Sequence, residues 1–448
     1  VSEPSPLARI RRFATWEPLL RLLWEANEEQ LARPGGQVTG QVGTWGYSVP
    51  LGGAGSDLMR DLGRMLAQAG LEEIAFVAET SAEGRAVLRL MDPNSAVSPG
   101  IGSVHPGSLI LVEGALPEPW RRRPDPSPGA APDASADPVR LERVLRERLP
   151  GAEGAGEEEL AAAEERLGLE LPAELKALYR VVSGRWTGPE GDHEEMYRQE
   201  MAVGCELFPP DRIHRADPST RPAPWEHGAM VAVGTAADDA VQDLVGSPGW
   251  LVFGDTGGGD RIAVDLTPGP RGHLGQIIVI GHEFHHGAGL VAPSLTAMVC
   301  EEPSRGGGAG TPGPSAVAYV NHRGVQSIEE AAHPGLEVLS IGVWGGEPFR
   351  LGPVLGLPRL RTLSAFPGTL ADPLEIGQLA HLEFLELSPE DWRILLDAKA
   401  VPPSLKACSV ATRMHHRPLE IAELSSEILA LWGRDPITWT VLEGDLVR

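Results

Sequence analysis

Cysteine is scarce in this chain. Its 448 residues include only Cys205, Cys300 and Cys408, far apart and odd in number. That excludes a disulfide framework and a C-x-x-C zinc site, and it fits a reducing, cytoplasmic setting. Long apolar runs are also missing. No stretch approaches the roughly 18 apolar residues of a membrane-spanning helix, and the opening VSEPSPLARIRRF lacks the apolar core of a secretory signal. Positive charge is in deficit, with 38 Lys and Arg against 62 Asp and Glu and a net charge of −24. Such a surface repels nucleic-acid phosphates and favours fast capture of a basic protein. Among the cations, arginine far outnumbers lysine, and alanine, glycine and proline abound, which reads as GC-rich bacterial coding. No P-loop, dinucleotide fingerprint or nucleophile triad is present, so no cofactor is implied.

Two stretches are too poor in apolar residues to build a core. Residues 117–139, LPEPWRRRPDPSPGAAPDASADP, and 301–314, EEPSRGGGAGTPGP, read as linkers. They divide the chain into blocks 1–116, 140–300 and 315–448. The first block predicts an α+β domain. Trp16, Leu19, Leu20 and Leu23 keep helical spacing, and a second helix is predicted to start at Ser56 as N-cap and stop at Gly70. Strands are expected at 74–78, 86–91 and 109–112. Nothing in this block spells chemistry, although Trp45 and Tyr47 in a glycine-flanked stretch are possible contact residues.

Three motifs in the middle block invite an enzymatic reading. His282, Glu283 and His286 spell H-E-x-x-H, which on a helix holds zinc and offers a general base. Here a β-branched strand, Gln276–Ile280, precedes it, and Gly281, Gly287 and Gly289 surround it. Glycine at that density disfavours the helix that the spacing needs. Asp255-Thr256-Gly257 matches the aspartic-protease tripeptide, but no second copy supplies the partner carboxylate. The glycine-rich turn that follows ends Gly-Asp-Arg where a P-loop would end in lysine and a hydroxyl residue. A β-hairpin turn is the expectation.

The order of features in this block resembles the SUKH superfamily, which includes yeast cell-wall-assembly regulators and many bacterial immunity proteins. The resemblance is carried by E-x-x-L-G-x-x-L-P from Glu164 through Gly168 to Pro172, and by Gly254-Asp255-x-Gly257-Gly258-Gly259-Asp260. The V-D-L at 264–266, centred on Asp265, and the G-x-I-I strand complete it. It covers about 150 residues and implies an α+β fold, with these residues as structural elements. Segment 186–204 departs from the pattern in being longer and more acidic. Trp186, Glu190, Asp192, Glu194 and Glu195 within it are the candidate partner-binding residues.

The last block repeats. Leu336-x-x-Leu339-x-Ile341 recurs from Leu360, from Leu382 and, more weakly, from Leu405, as in leucine-rich repeats. Each unit is expected to add one strand to a parallel stack with a shared leucine core. Glu337, Arg361, Glu383 and Glu386 would face outward, and Trp432 and Trp439 would cap the open end.

Together these features predict a non-catalytic protein-binding module, of the immunity type that neutralises a basic toxin domain such as a nuclease. A regulatory scaffold is the alternative. A hydrolase using His282, Glu283 and His286, or Asp255, ranks last. Neither nucleic acid nor membrane is expected as a partner.

Overall fold

The computed structural model describes residues 5–446 apart from 34, 53–54, 82, 100–103, 186–192, 222–224, 284–285, 302–314 and 414. Helices and sheets are both present, in an α+β arrangement. The chain forms two compact units. One gathers residues 1–115, 224–230 and 315–448; the other holds 116–223 and 231–314.

This partition differs from three separate blocks, because the first and last blocks share two sheets. In one sheet, Trp439–Asp445 from the chain's end pairs antiparallel with Arg85–Met91, which pairs in turn with Glu73–Thr80. In the other, five parallel strands run in chain order from Val317–Val320 to Ala407–Val410, and Pro106–Ile110 from the first block pairs with the last of them. An exposed strand edge is a row of unpaired N–H and C=O groups. Each block covers an edge of the other, a long-range pairing that no local pattern announces.

The parallel stack is built on the repeated leucines. Leu339, Leu363, Leu385 and Cys408 stand side by side in register, and all four are fully buried in one cluster. Its first strand was missed because its core positions are Ala318 and Val320 rather than leucines. Trp432 and Trp439 pack against the same core, half-buried, but the strand Pro106–Ile110 covers the edge of the stack. The outward positions are corrected too. Glu337 and Arg361 are buried and form an ion pair at 3.3 Å, with Arg359 on the same carboxylate, and Lys406 meets Glu383 at 2.6 Å. Of the three carboxylates, only Glu386 lacks a cation partner among the described residues.

In the first block, Trp16, Leu19, Leu20 and Leu23 are all buried on the helix Phe13–Ala26. The second helix spans Ser56–Gln68, with Ser56 inside it and Gly55 as the cap at φ 81°. Trp45, at the tip of the hairpin between Val38–Gly43 and Tyr47–Ser48, is 99% exposed.

Residues 117–139 are not a free linker. Trp120 is buried against Val233 and Val245. Gln242, itself buried, accepts from the backbone N–H of Asp125 at 2.7 Å and donates to its carbonyl at 2.9 Å. Ser127 donates to the Pro268 carbonyl at 2.6 Å, and Ser135 bonds Ser294 at 2.9 Å. The helix Pro138–Arg148 follows, capped by Asp137. Polar tethers and one tryptophan hold a segment whose composition has little apolar surface to bury. Residues 302–314 of the second expected linker lie outside the described residues. No described helix is long and apolar enough to cross a membrane.

Candidate functional site

The middle unit is a six-stranded sheet with helices packed on it. Its family-type motifs converge on two structural joints. The first is the helix pair. Glu164, on the helix Glu157–Leu167, accepts from the Leu171 N–H at 2.8 Å and pairs with Lys176 at 2.7 Å. These contacts hold its carboxyl below the ordinary carboxylate range. Gly168 ends the helix at φ 64°, and Pro172 caps the next helix, Ala173–Tyr179. Glu174 on that helix reaches across to Leu295–Cys300, accepting from the Thr296 N–H at 2.9 Å and from the Thr296 hydroxyl. It satisfies the otherwise orphaned N–H groups at a helix start. Glu174 is not among the sequence-predicted site residues; a glutamate set among the apolar positions of a helix was its only signal.

The second joint is the glycine turn between the antiparallel strands Ser247–Asp255 and Arg261–Asp265. Asp255 is buried. Its Oδ1 accepts from the N–H groups of Gly257 at 2.7 Å and Gly259 at 3.2 Å, and its Oδ2 takes the Arg261 guanidinium. Gly257 and Gly259 sit at φ 79° and 99°, where a side chain is strained. Gly258 donates its N–H to the Thr256 hydroxyl at 3.4 Å. Gly254 is needed for a different reason, since a Cβ there would lie 2.7 Å from the Cys205 sulfur. Asp260 accepts from the His282 N–H at 2.9 Å and faces its Nδ1 at 2.7 Å, which lowers the Asp260 pKa. Asp265 is wholly buried. It accepts from Thr267 N–H at 2.8 Å and Gln276 Nε2 at 2.9 Å, and burial pushes its pKa up.

The would-be enzymatic residues are therefore engaged in architecture. His282 turns to Asp260, whereas His286 faces Asp243 at 2.8 Å, so the two rings address different carboxylates. The described residues between 281 and 287 are not helical. Among the described residues, no three His, Cys, Asp or Glu side chains are grouped to hold a metal. Asp255 has an arginine for its partner where a proteolytic pair would need a second acid.

Of the candidate binding residues, Trp186, Glu190 and Asp192 lie outside the described residues, as does the side chain of Glu195. Glu194 is exposed on the helix His193–Val203. The same helix exposes Tyr197 and Met201, one turn apart, which the sequence does not signal because apolar residues at helical spacing ordinarily face a core. Glu200 reaches the glycine turn, lying 4.0 Å from where a Gly257 Cβ would stand.

A glucan synthesis regulatory protein of Neurospora crassa is 27% identical over 201 residues, 37% of this chain and 38% of that protein. A KNR4/SMI1 homolog of Yarrowia lipolytica is 40% identical over 72 residues, 15% of this chain and 10% of that protein. KNR4/SMI1 homolog 2 of Debaryomyces hansenii is 44% identical over 46 residues, 10% and 8% respectively. The chain thus spans less than two fifths of the length of these curated relatives. Both joints fall within residues 154–301, which match the SMI1 / KNR4 family (SUKH-1) and which, apart from 224–230, belong to the second compact unit.

Proposed function

We propose that this chain is a regulatory, protein-binding scaffold with no catalytic chemistry of its own. The observation that carries the reading is the match of residues 154–301 to the SMI1 / KNR4 family, together with a relative named as a glucan synthesis regulatory protein. Site chemistry supports it: Asp255 and Asp260 are occupied by the turn, by Arg261 and by His282. The net charge of −24 favours a basic partner, because opposite fields steer encounter. The same charge is the one observation that favours the finer reading, an immunity-type protein bound to a basic toxin domain such as a nuclease.

The test is capture by the immobilised full chain at low and high salt, followed by identification of the retained protein and titration of its activity. A basic partner released by salt and graded in activity supports the scaffold. A partner nuclease silenced at one-to-one stoichiometry supports the immunity reading instead. Hydrolytic turnover by the purified chain, abolished by Asp255→Asn or His286→Ala, would overturn both.

A further inference from the structure

The parallel stack presents two rows of residues on the face opposite its leucine core. The row Val338, Thr362, Phe384 and Ala407 is closed over. Trp225, from the segment 224–230, stacks on Phe384 with rings 7° from parallel, and the Ala229 carbonyl accepts from the Thr362 hydroxyl at 2.7 Å. Two residues further along the strands, Ser340, Ser364, Glu386 and Ser409 pair in register. They floor a cleft of about 420 Å³, with Glu226 and Arg413 on its rim.

Glu386 is half-buried there. Its described partner is the Ser364 hydroxyl, which donates at 2.5 Å; no lysine or arginine among the described residues pairs with it. Glu337 and Glu383 contrast with it, since each has a cation. Arg413 does not reach Glu386: its guanidinium lies over the Phe366 ring, 4.6 Å from the centroid. A carboxylate withdrawn from water and answered only by a hydroxyl gains most from a cation that brings several N–H donors. Glu226 at the rim adds a second negative charge, and the −24 chain adds its long-range field.

We propose that this cleft receives an extended segment of a protein partner, seating one arginine or lysine side chain on Glu386. The serine hydroxyls beside it accept the remaining N–H donors, and Arg413 donates to the segment's carbonyls. The inference rests on the protein-binding reading above and names the contact.

The experiment uses the full chain and a labelled, end-capped peptide, Gly-Ser-Arg-Ser-Gly, followed by fluorescence anisotropy. Versions with lysine or with uncharged citrulline at the centre, and free arginine as competitor, complete the set. Arginine and lysine peptides are expected to bind and the citrulline peptide to bind far more weakly. Glu386→Gln, with an unchanged melting temperature, is expected to weaken binding about ten-fold, the scale of one charge-assisted contact. Glu423→Gln, which alters an exposed acid on the helix Pro418–Ala430, is expected to leave it unchanged. The proposal is overturned if Glu386→Gln binds within about two-fold of wild type, a difference too small for one charge-assisted contact. It is equally overturned if Glu423→Gln removes binding or if free arginine competes as well as the peptide. If a captured partner survives Glu386→Gln, the cleft proposal falls and the scaffold reading stands. If peptide binding depends on Glu386 while the chain retains no partner, the scaffold reading falls and the cleft stands.

Discussion

Asp255 and Glu386 are carboxylates on strands of two different sheets, and their neighbours treat them in opposite ways. Asp255 ends a strand at the most conspicuous motif of the chain, yet two glycine N–H groups and Arg261 engage both of its oxygens. Glu386 belongs to an unremarkable Leu-Glu-Leu, yet it stands on the floor of a cleft with a single hydroxyl as its described partner. A residue type that could do chemistry is informative only once its partners are counted. The conspicuous acid maintains a turn, and the inconspicuous one is left with unspent hydrogen-bonding capacity.

Substitutions that separate scaffold from surface sharpen this contrast. The largest effect is expected from Trp225→Ala, which removes a buried indole from Phe384 and opens the closed row of the stack. A loss of about 3–5 kcal/mol in denaturant unfolding is expected. Leu385→Ala, in the leucine core beneath the same strands, is expected to cost roughly 2–5 kcal/mol. A cost under about 1 kcal/mol at either site would contradict the packing described. Asp255→Ala deprives two amides and a guanidinium of their acceptor and is expected to cost about 1–3 kcal/mol. Glu386→Gln is expected to stay within about 0.5 kcal/mol, as a substitution outside the core does. If thermal melts show Glu386→Gln to be the more damaging of these last two, the contrast between the sites is reversed. The smallest effect in energy is one of access. Under native conditions a thiol reagent is expected to label the half-exposed Cys300 first. Cys205 and Cys408 are buried, and burial raises both thiols, Cys205 to about 12. Rapid labelling of Cys408 in the folded chain would mean that the stack opens readily.

The proline-rich stretch 117–139 carries a similar lesson. Composition made 117–139 a linker, because prolines, alanines and aspartates have little apolar surface to contribute. The fold ties it down through Gln242, Ser294 and the Pro268 carbonyl, and through the one large apolar residue it does have, Trp120. Hydrogen bonds from distant side chains do not appear in the composition of the segment they hold.

Local rules, acting over a few residues, made much of this protein legible. Helical spacing marked the buried face at Trp16, Leu19, Leu20 and Leu23. The repeated leucines marked the strands that stack in register, because each must bury the same positions against its neighbour. The glycines at 257 and 259 announced a turn that only they enter without strain. Those inferences rest on backbone geometry and on burial within one element, both written in consecutive residues. What only the tertiary structure decided is which edges and carboxylates are already used. The pairing of Arg85–Met91 with Trp439–Asp445 joins residues more than 340 positions apart. Trp225 comes to the stack from the middle of the chain, and among the described residues Glu386 is left without a cation while Glu337 and Glu383 are not. Each of these outcomes depends on which distant group arrives, and hydrogen-bonding capacity is spent by neighbours in space.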